Sequence, residues 1–278
     1  MCFDLDSSPP IEPIAGAAVE STSVELGASD GNVFRAFHAR PVATSGNAIV
    51  ILPDVRGLHH YYEELAVRFA EIGVEAVSID YFGRTAGTGP RDDDFDHNPH
   101  VAQVTWEGLT ADLRAAVDFL RAGRGSASLG SASSGGSGAG ESVAGASSDV
   151  RALFTTGFCM GGRAAFDSAT LGLGLSGVIG FYGWPVGPSR NGTPAPADLA
   201  GTFECPVLGI FGAADQGISI SAVQQFRDAL AVADPRHEIV VEPDAPHSFF
   251  DRKHAEFAAQ SADAWARATR FIETYGAR

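Results

Sequence analysis

One hexapeptide constrains this chain more than any other stretch: Gly157-Phe158-Cys159-Met160-Gly161-Gly162. A mostly apolar run, Val150 to Phe154, leads into it, and a helix-compatible segment, Arg163 to Leu173, leads out. The pattern reads as a strand, a sharp turn and a helix, with a thiol at the apex. A turn that tight crowds the apical residue against its neighbours, so small residues are required two before and two after it. Gly157 and Gly161 occupy those places. A reactive side chain on such a turn predicts two partners, an acid and then a His, each just after a later strand.

Both partners follow. Pro206 to Phe211 reads as a buried strand running into the turn Gly212-Ala213-Ala214-Asp215. Glu238 to Glu242 reads as another strand and ends in Pro243-Asp244-Ala245-Pro246-His247-Ser248-Phe249, which sets His247 in a loop before the last helix. Asp244 lies only three residues before His247, too local for a hydrogen bond across loops, so Asp215 is the expected acid. The order Cys159, Asp215, His247 is the nucleophile–acid–His order of the α/β-hydrolases. The expected fold is therefore an α/β-hydrolase, a mostly parallel central sheet flanked by helices, with Cys in place of the usual Ser.

The rest of the chain agrees with that architecture. Val19–Leu26 and Val33–Ala39 alternate like an antiparallel pair around Asp30-Gly31-Asn32. Ala48–Leu52 and Val74–Ile79 are apolar runs of the kind found inside parallel sheets. Helical stripes mark Tyr61–Ile72, Trp106–Arg121, Ser219–Val232 (with Ser219 as cap) and His254–Tyr275, and Gly177–Tyr182 reads as a further strand. Residues 1–17 read as an irregular leader. Residues 123–148 are almost entirely Gly, Ser and Ala, too poor in apolar side chains to offset the entropy of ordering, and read as a flexible surface insertion within one domain spanning 1–278.

Composition excludes several classes. With 19 basic against 34 acidic residues and a net charge of −15, the chain lacks the basic face that nucleic acid or an anionic membrane requires. No apolar run approaches the roughly 18 residues that span a bilayer, and the N-terminus lacks the basic and apolar regions of a secretory signal. The three Cys residues, Cys2, Cys159 and Cys205, suggest no disulfide framework. These features point to a cytoplasmic enzyme with reduced thiols, and the lack of an obvious exposed apolar helix points to a monomer. The acidic stretch Arg91 to His100 shows no metal-ligand spacing and reads as a solvated loop. No metal and no organic cofactor is expected.

The elbow Gly-Phe-Cys-Met-Gly-Gly, the Asp after Gly-Ile-Phe-Gly-Ala-Ala and the sequence Pro-His-Ser-Phe-Phe together resemble the dienelactone hydrolases (carboxymethylenebutenolidases), over roughly Asn47 to Ile272. The resemblance implies that Cys159 is an acyl nucleophile, His247 its base and Asp215 the acid that orients the base. It also implies an acid close to the Cys at the end of the third strand; Asp54 stands there where family members usually carry Glu. Two Arg residues bind the substrate carboxylate in that family. Arg84 stands at the first position; at the second this chain has Asp251, with Arg252 one residue further on.

The chemistry that these residues imply is acyl transfer. A Cys attacks only as thiolate, and its unperturbed pKa near 8.5 leaves little thiolate at neutral pH, so an imidazole must take the proton and an acid must fix the imidazole tautomer. The backbone N–H groups of Val55 and Met160 are the expected oxyanion hole. Tyr182 and Trp184, just after a strand, are expected near the pocket rim. The expected function is hydrolysis of a small lactone or carboxylic ester through a Cys159 acyl-enzyme. A broad carboxylesterase and a non-catalytic binding or thiol-sensing module on the same fold are the alternatives.

Overall fold

A computed structural model describes residues 8–92, 94–123, 149–189, 191–234, 236–251 and 253–278. Cys2, nearly all of the Gly/Ser/Ala insertion and Arg252 lie outside the described residues.

Eight strands form one sheet: β1 (Val19–Gly27), β2 (Val33–Pro41), β3 (Asn47–Leu52), β4 (Val74–Ile79), β5 (Ala152–Phe158), β6 (Gly177–Phe181), β7 (Val207–Gly212) and β8 (Glu238–Glu242), in the order β1-β2-β4-β3-β5-β6-β7-β8. The pairs β1–β2 and β2–β4 are antiparallel, and every pair from β4 onward is parallel. The strands on either side of the insertion pair directly, β3 with β5 in parallel register from Asn47–Ala152 to Leu52–Gly157. All residues of β3, β4, β5, β6 and β7 are buried, as expected of parallel strands covered on both faces.

The helices are α1 (His60–Glu71), α2 (Gly83–Ala86), α3 (Asn98–Val101), α4 (Trp106–Ala122), α5 (Met160–Ser168), α6 (Pro196–Leu199), α7 (Ile220–Ala233) and α8 (Ala258–Tyr275). The crossover β3–α1–β4 runs one way along the sheet and β4–α4–β5 runs the other, so right-handed connections place α1 and α4 on opposite faces. Between helices, Phe69 of α1 packs on Trp265 of α8, and Phe166 of α5 packs on Phe226 of α7. None of the described helices is long and apolar enough to cross a membrane.

Two helices depart from the sequence pattern. The elbow helix α5 begins at Met160 and ends at Ser168, where Arg163–Leu173 was expected. Cys159 itself caps it, and the residues beyond its end turn back through the left-handed glycines Gly172 and Gly174. The last helix starts at Ala258, not His254; residues 253–257 form successive turns, with Lys253 N–H donating to Ser248 O and Phe257 N–H to Lys253 O. The acidic stretch also differs. Its described aspartates are exposed, but Arg91 is buried in an ion pair with Asp80, 2.8 Å away. Arg91 stacks over Phe95, which in turn stacks on His100. Periodicity cannot reveal this anchor, because the partner Asp80 follows β4, outside the stretch itself. No group of three or more His, Cys, Asp or Glu suited to a metal occurs among the described residues.

Candidate active site

The direction of the chain reverses between β3 and β5, and ligands of open α/β sheets bind in the crevice at the carboxyl ends of strands around such a point. Cys159 follows β5 there with φ 55° and ψ −113°. That conformation costs a residue bearing a Cβ about 1–3 kcal/mol and persists only where the surroundings enforce it. They do: the Cys159 N–H donates to Phe181 O at 3.0 Å, and its carbonyl accepts from Arg163 N at 3.2 Å. A Cβ on Gly157 would strike the Gly161 carbonyl, and one on Gly161 would strike the carbonyls of Leu52 and Pro53. The two glycines therefore let the first turn of α5 press onto the end of β3, alongside the segment leading to Val55. The amides of that first turn have no partner within the helix, and its dipole favours negative charge at the half-buried thiol.

Asp215 follows β7 and His247 follows β8, and the pairing of Gly212 with Glu242 brings the two turns side by side. Ala213 N–H donates to Glu242 O and Ala214 N–H to Ala245 O, each at 2.9 Å. His247 Nδ1 lies 2.7 Å from Asp215 Oδ2, while Asp215 Oδ1 accepts from the N–H groups of Gly217 (2.8 Å) and Ile218 (3.0 Å). Burial works to raise the Asp215 carboxyl, but the bonds from His247 and the two amides outweigh it and hold the group below its ordinary value. An ionised carboxylate only accepts, so Nδ1 carries the proton and Nε2 is left as a base. Nε2 is buried with no hydrogen-bond partner among the described residues. Asp244, the local rival, is an exposed turn residue with φ 57°.

The loop after β6 flanks the His. Tyr182 and Trp184 place their rings 5.0 and 4.8 Å from that of His247. Arg163, on the helix that follows the elbow, reaches out to hold this loop, donating to the carbonyls of Trp184 (3.3 Å), Gly187 (2.7 Å), Thr193 (2.9 Å) and Pro194 (2.8 Å). Among the described residues, the non-glycine positions with left-handed φ are Cys159, Tyr182, Asp244 and Ser248. All sit on the loops after β5, β6 and β8, so backbone strain is concentrated on loops that include those carrying Cys159 and His247.

Asp54 is buried after β3, and its carboxylate is held by a residue that motif reading passes over. Arg56 donates Nη2 to Oδ2 (2.8 Å) and Nε to both oxygens (3.2 Å), and its backbone N–H bonds Oδ1 at 2.9 Å. Burial pushes the Asp54 carboxyl up, but the adjacent guanidinium outweighs it and the net shift is downward. Nearby His59 is driven to about 3, first by burial and then by Arg56, and stays neutral. The spacing Asp-Val-Arg was the available signal, since an Arg two residues from a buried carboxylate in a turn can reach back to it.

Arg84 lies between two carboxylates, paired with Asp112 and, at 2.6 Å, with Asp30. It borders a small hollow that Tyr81, His100 and Leu109 also line, which contains none of Cys159, Asp215 and His247. Asp251, at the position where the family resemblance implied an Arg, is fully buried. Cys205 is buried and its thiol is pushed up to about 12, first by burial and then by Glu204, which makes it inert.

With the geometry in view, the comparisons with known proteins are specific. The model of the dienelactone hydrolase family matches residues 34–131 and 141–276. The chain belongs to that family. This places it among hydrolases of the dienelactone hydrolase type. It is 28% identical over 286 residues to a protein of Escherichia coli K12 named "Putative carboxymethylenebutenolidase", covering 98% of this chain and 96% of the other. It is 27% identical to a protein of a Bradyrhizobium species named "Probable 2-oxo-3-(5-oxofuran-2-ylidene)propanoate lactonase", covering 86% and 89%. The crystal structure of a protein titled "Putative Dienelactone Hydrolase" from Klebsiella pneumoniae superposes with a TM-score of 0.74 at 26% identity, covering 93% of this chain and all of that one.

Proposed function

We propose that this chain hydrolyses a small lactone or carboxylic ester through a Cys159 acyl-enzyme, with His247 as general base and acid and Asp215 as its orienting partner. In the first half-reaction His247 Nε2 takes the Cys159 proton and the thiolate adds to the carbonyl carbon. The C–O bond to the leaving oxygen breaks, and that oxygen receives the proton from His247. In the second, His247 deprotonates water, hydroxide adds to the thioester carbonyl, and the C–S bond breaks to return the thiol and a carboxylic acid. The backbone N–H groups of Val55 and Met160 are assigned to the oxyanion. The supporting observation is the 2.7 Å bond from His247 Nδ1 to Asp215, which orients an imidazole whose other nitrogen is unpaired, on the sheet edge that carries the elbow thiol.

Within that reading, simple esters are favoured over a carboxylated lactone. The observation that favours them is the engagement of Arg84 by Asp30 and Asp112, which neutralises the charge a substrate carboxylate would need. The test is steady-state hydrolysis of p-nitrophenyl acetate beside a carboxylated dienelactone, wild type against Cys159→Ala. Turnover of the simple ester that disappears in the variant is the expected result. Undiminished turnover in the variant removes Cys159 as nucleophile, and stoichiometric thiol labelling without any turnover favours a binding or thiol-sensing role.

A further inference from the structure

Trp184 stands on the loop after β6, beside the candidate His. It is the exposed large apolar side chain beside the candidate His, 38% accessible. Exposed indoles on loops are ordinarily mobile, but this one is held from several sides. Its ring lies 4.8 Å from that of His247, its Nε1–H donates to Gly217 O at 3.2 Å, and its own carbonyl accepts from Arg163. Gly217 is required for the fit, since a Cβ there would lie 2.8 Å from Trp184 Cζ2. Gly217 also donates its N–H to Asp215 Oδ1, so the turn that fixes the acid is the turn that fixes the indole. Ile220, three residues on at the start of α7, is exposed as well.

A structure that fixes an indole and leaves part of it in solvent has lowered the entropic cost of using it for binding. Which part of a substrate it meets follows from the chemistry of the neighbouring imidazole. His247 hands its proton to the departing oxygen, so the group attached to that oxygen must leave past the His side of the site. The acyl portion stays with the sulfur and the backbone amides on the other strands.

We propose that the solvent-exposed part of the Trp184 indole is the leaving-group subsite of this hydrolase, a platform for apolar, preferably aromatic, alcohol portions of its ester substrates. This rests on the acyl-enzyme reading above and adds a substrate class to it.

The test compares ratios, so that intrinsic ester reactivity cancels. The leaving-group ratio is kcat/KM for 2-naphthyl acetate over that for 2,2,2-trifluoroethyl acetate. The acyl ratio is kcat/KM for p-nitrophenyl butyrate over that for p-nitrophenyl acetate. In Trp184→Ala the leaving-group ratio is expected to fall about ten-fold or more while the acyl ratio holds. Trp184→Phe, which keeps a ring without the indole N–H, retains most of the preference. Trp184→Leu, which keeps bulk without a ring, loses it and also serves if the Ala variant does not fold. Equal loss on every ester would mean that Trp184 only props His247 and overturns the subsite; a shift in the acyl ratio instead overturns it too. Calorimetric titration with 2-naphthol needs no turnover. If the wild type hydrolyses no ester yet binds 2-naphthol at least about ten-fold more tightly than Trp184→Ala, the hydrolase reading fails and the platform stands. Equal 2-naphthol binding by both overturns the platform whatever the activity.

Discussion

At the scale of single residues, the site assigns different jobs to groups that look alike in the sequence. Cys159 and Cys205 are both thiols, but one stands strained at a helix N-terminus and the other is buried with its thiol pushed up to about 12. Replacing Cys159 with Ala is expected to lower kcat by at least ~1,000-fold, and His247→Ala by nearly as much. The double variant should be no worse than either alone, because a nucleophile and its base act as one unit; additive losses in steady-state kinetics would contradict the pairing. Asp54 is buried and its charge is met by half-buried Arg56, and a buried charge is costly to leave without its partner. Arg56→Ala is expected to cost about 3–5 kcal/mol in urea unfolding, and the double variant Asp54→Ala with Arg56→Ala distinctly less than the sum of the two singles. The residues visible from sequence were those with a motif around them. Arg56 was not, because its role is a contact that only the turn after β3 creates.

At the scale of elements, the elbow and the loop after β6 depend on contacts between backbone segments. Gly161 touches the carbonyls of Leu52 and Pro53, and backbone cannot give way as a side chain can. Gly161→Ala is therefore expected to separate α5 from β3, with loss of activity and a stability cost of several kcal/mol, near the upper end for single substitutions. Arg163→Ala strips the donors from four loop carbonyls at Trp184, Gly187, Thr193 and Pro194. It should loosen that loop and raise KM more than it lowers thermal stability; faster amide exchange at 184–194 by mass spectrometry is the check. Strand positions were legible because five consecutive parallel strands are buried throughout and so read as apolar runs. Helix ends were less so. The start of α5 is dictated by the strained cap at Cys159 and the start of α8 by turns that follow the candidate His, and neither leaves a periodic trace.

At the scale of the whole molecule, buried acids make stability depend on pH. The Asp167 carboxyl is raised to about 8 by burial, against the pull of Arg163, with neither oxygen hydrogen-bonded among the described residues. Glu242, whose carbonyl ties down the turn of Asp215, is raised to about 7, first by burial and then by its bond with the Asp263 carboxylate. Both values lie above those of the unfolded chain, so this contribution is full only in acid, is lost progressively as pH rises past the ordinary carboxyl values, and is gone once pH passes about 7 for Glu242 and about 8 for Asp167. Between the ordinary carboxyl value and each raised value stability should fall by ~1.4 kcal/mol per pH unit per group, and it levels off above. Urea midpoints at pH 6.5 and 9 are expected to separate for the wild type and to draw together in Asp167→Asn; an unchanged gap would show that Asp167 titrates normally. Asp215, lowered in the fold, acts in the opposite sense and costs stability only in acid. Local chemistry written along the chain was enough for the nucleophile elbow, the order of thiol, acid and His, and the apolar strands between them, because each depends on neighbours within a few residues. The capture of Arg84 by Asp30 and Asp112 and the fixing of the part-exposed Trp184 by Gly217 and Arg163 arose only when the strands were laid side by side. These are contacts between segments far apart in the chain, and no local pattern of residues encodes which distant side chain will be within reach.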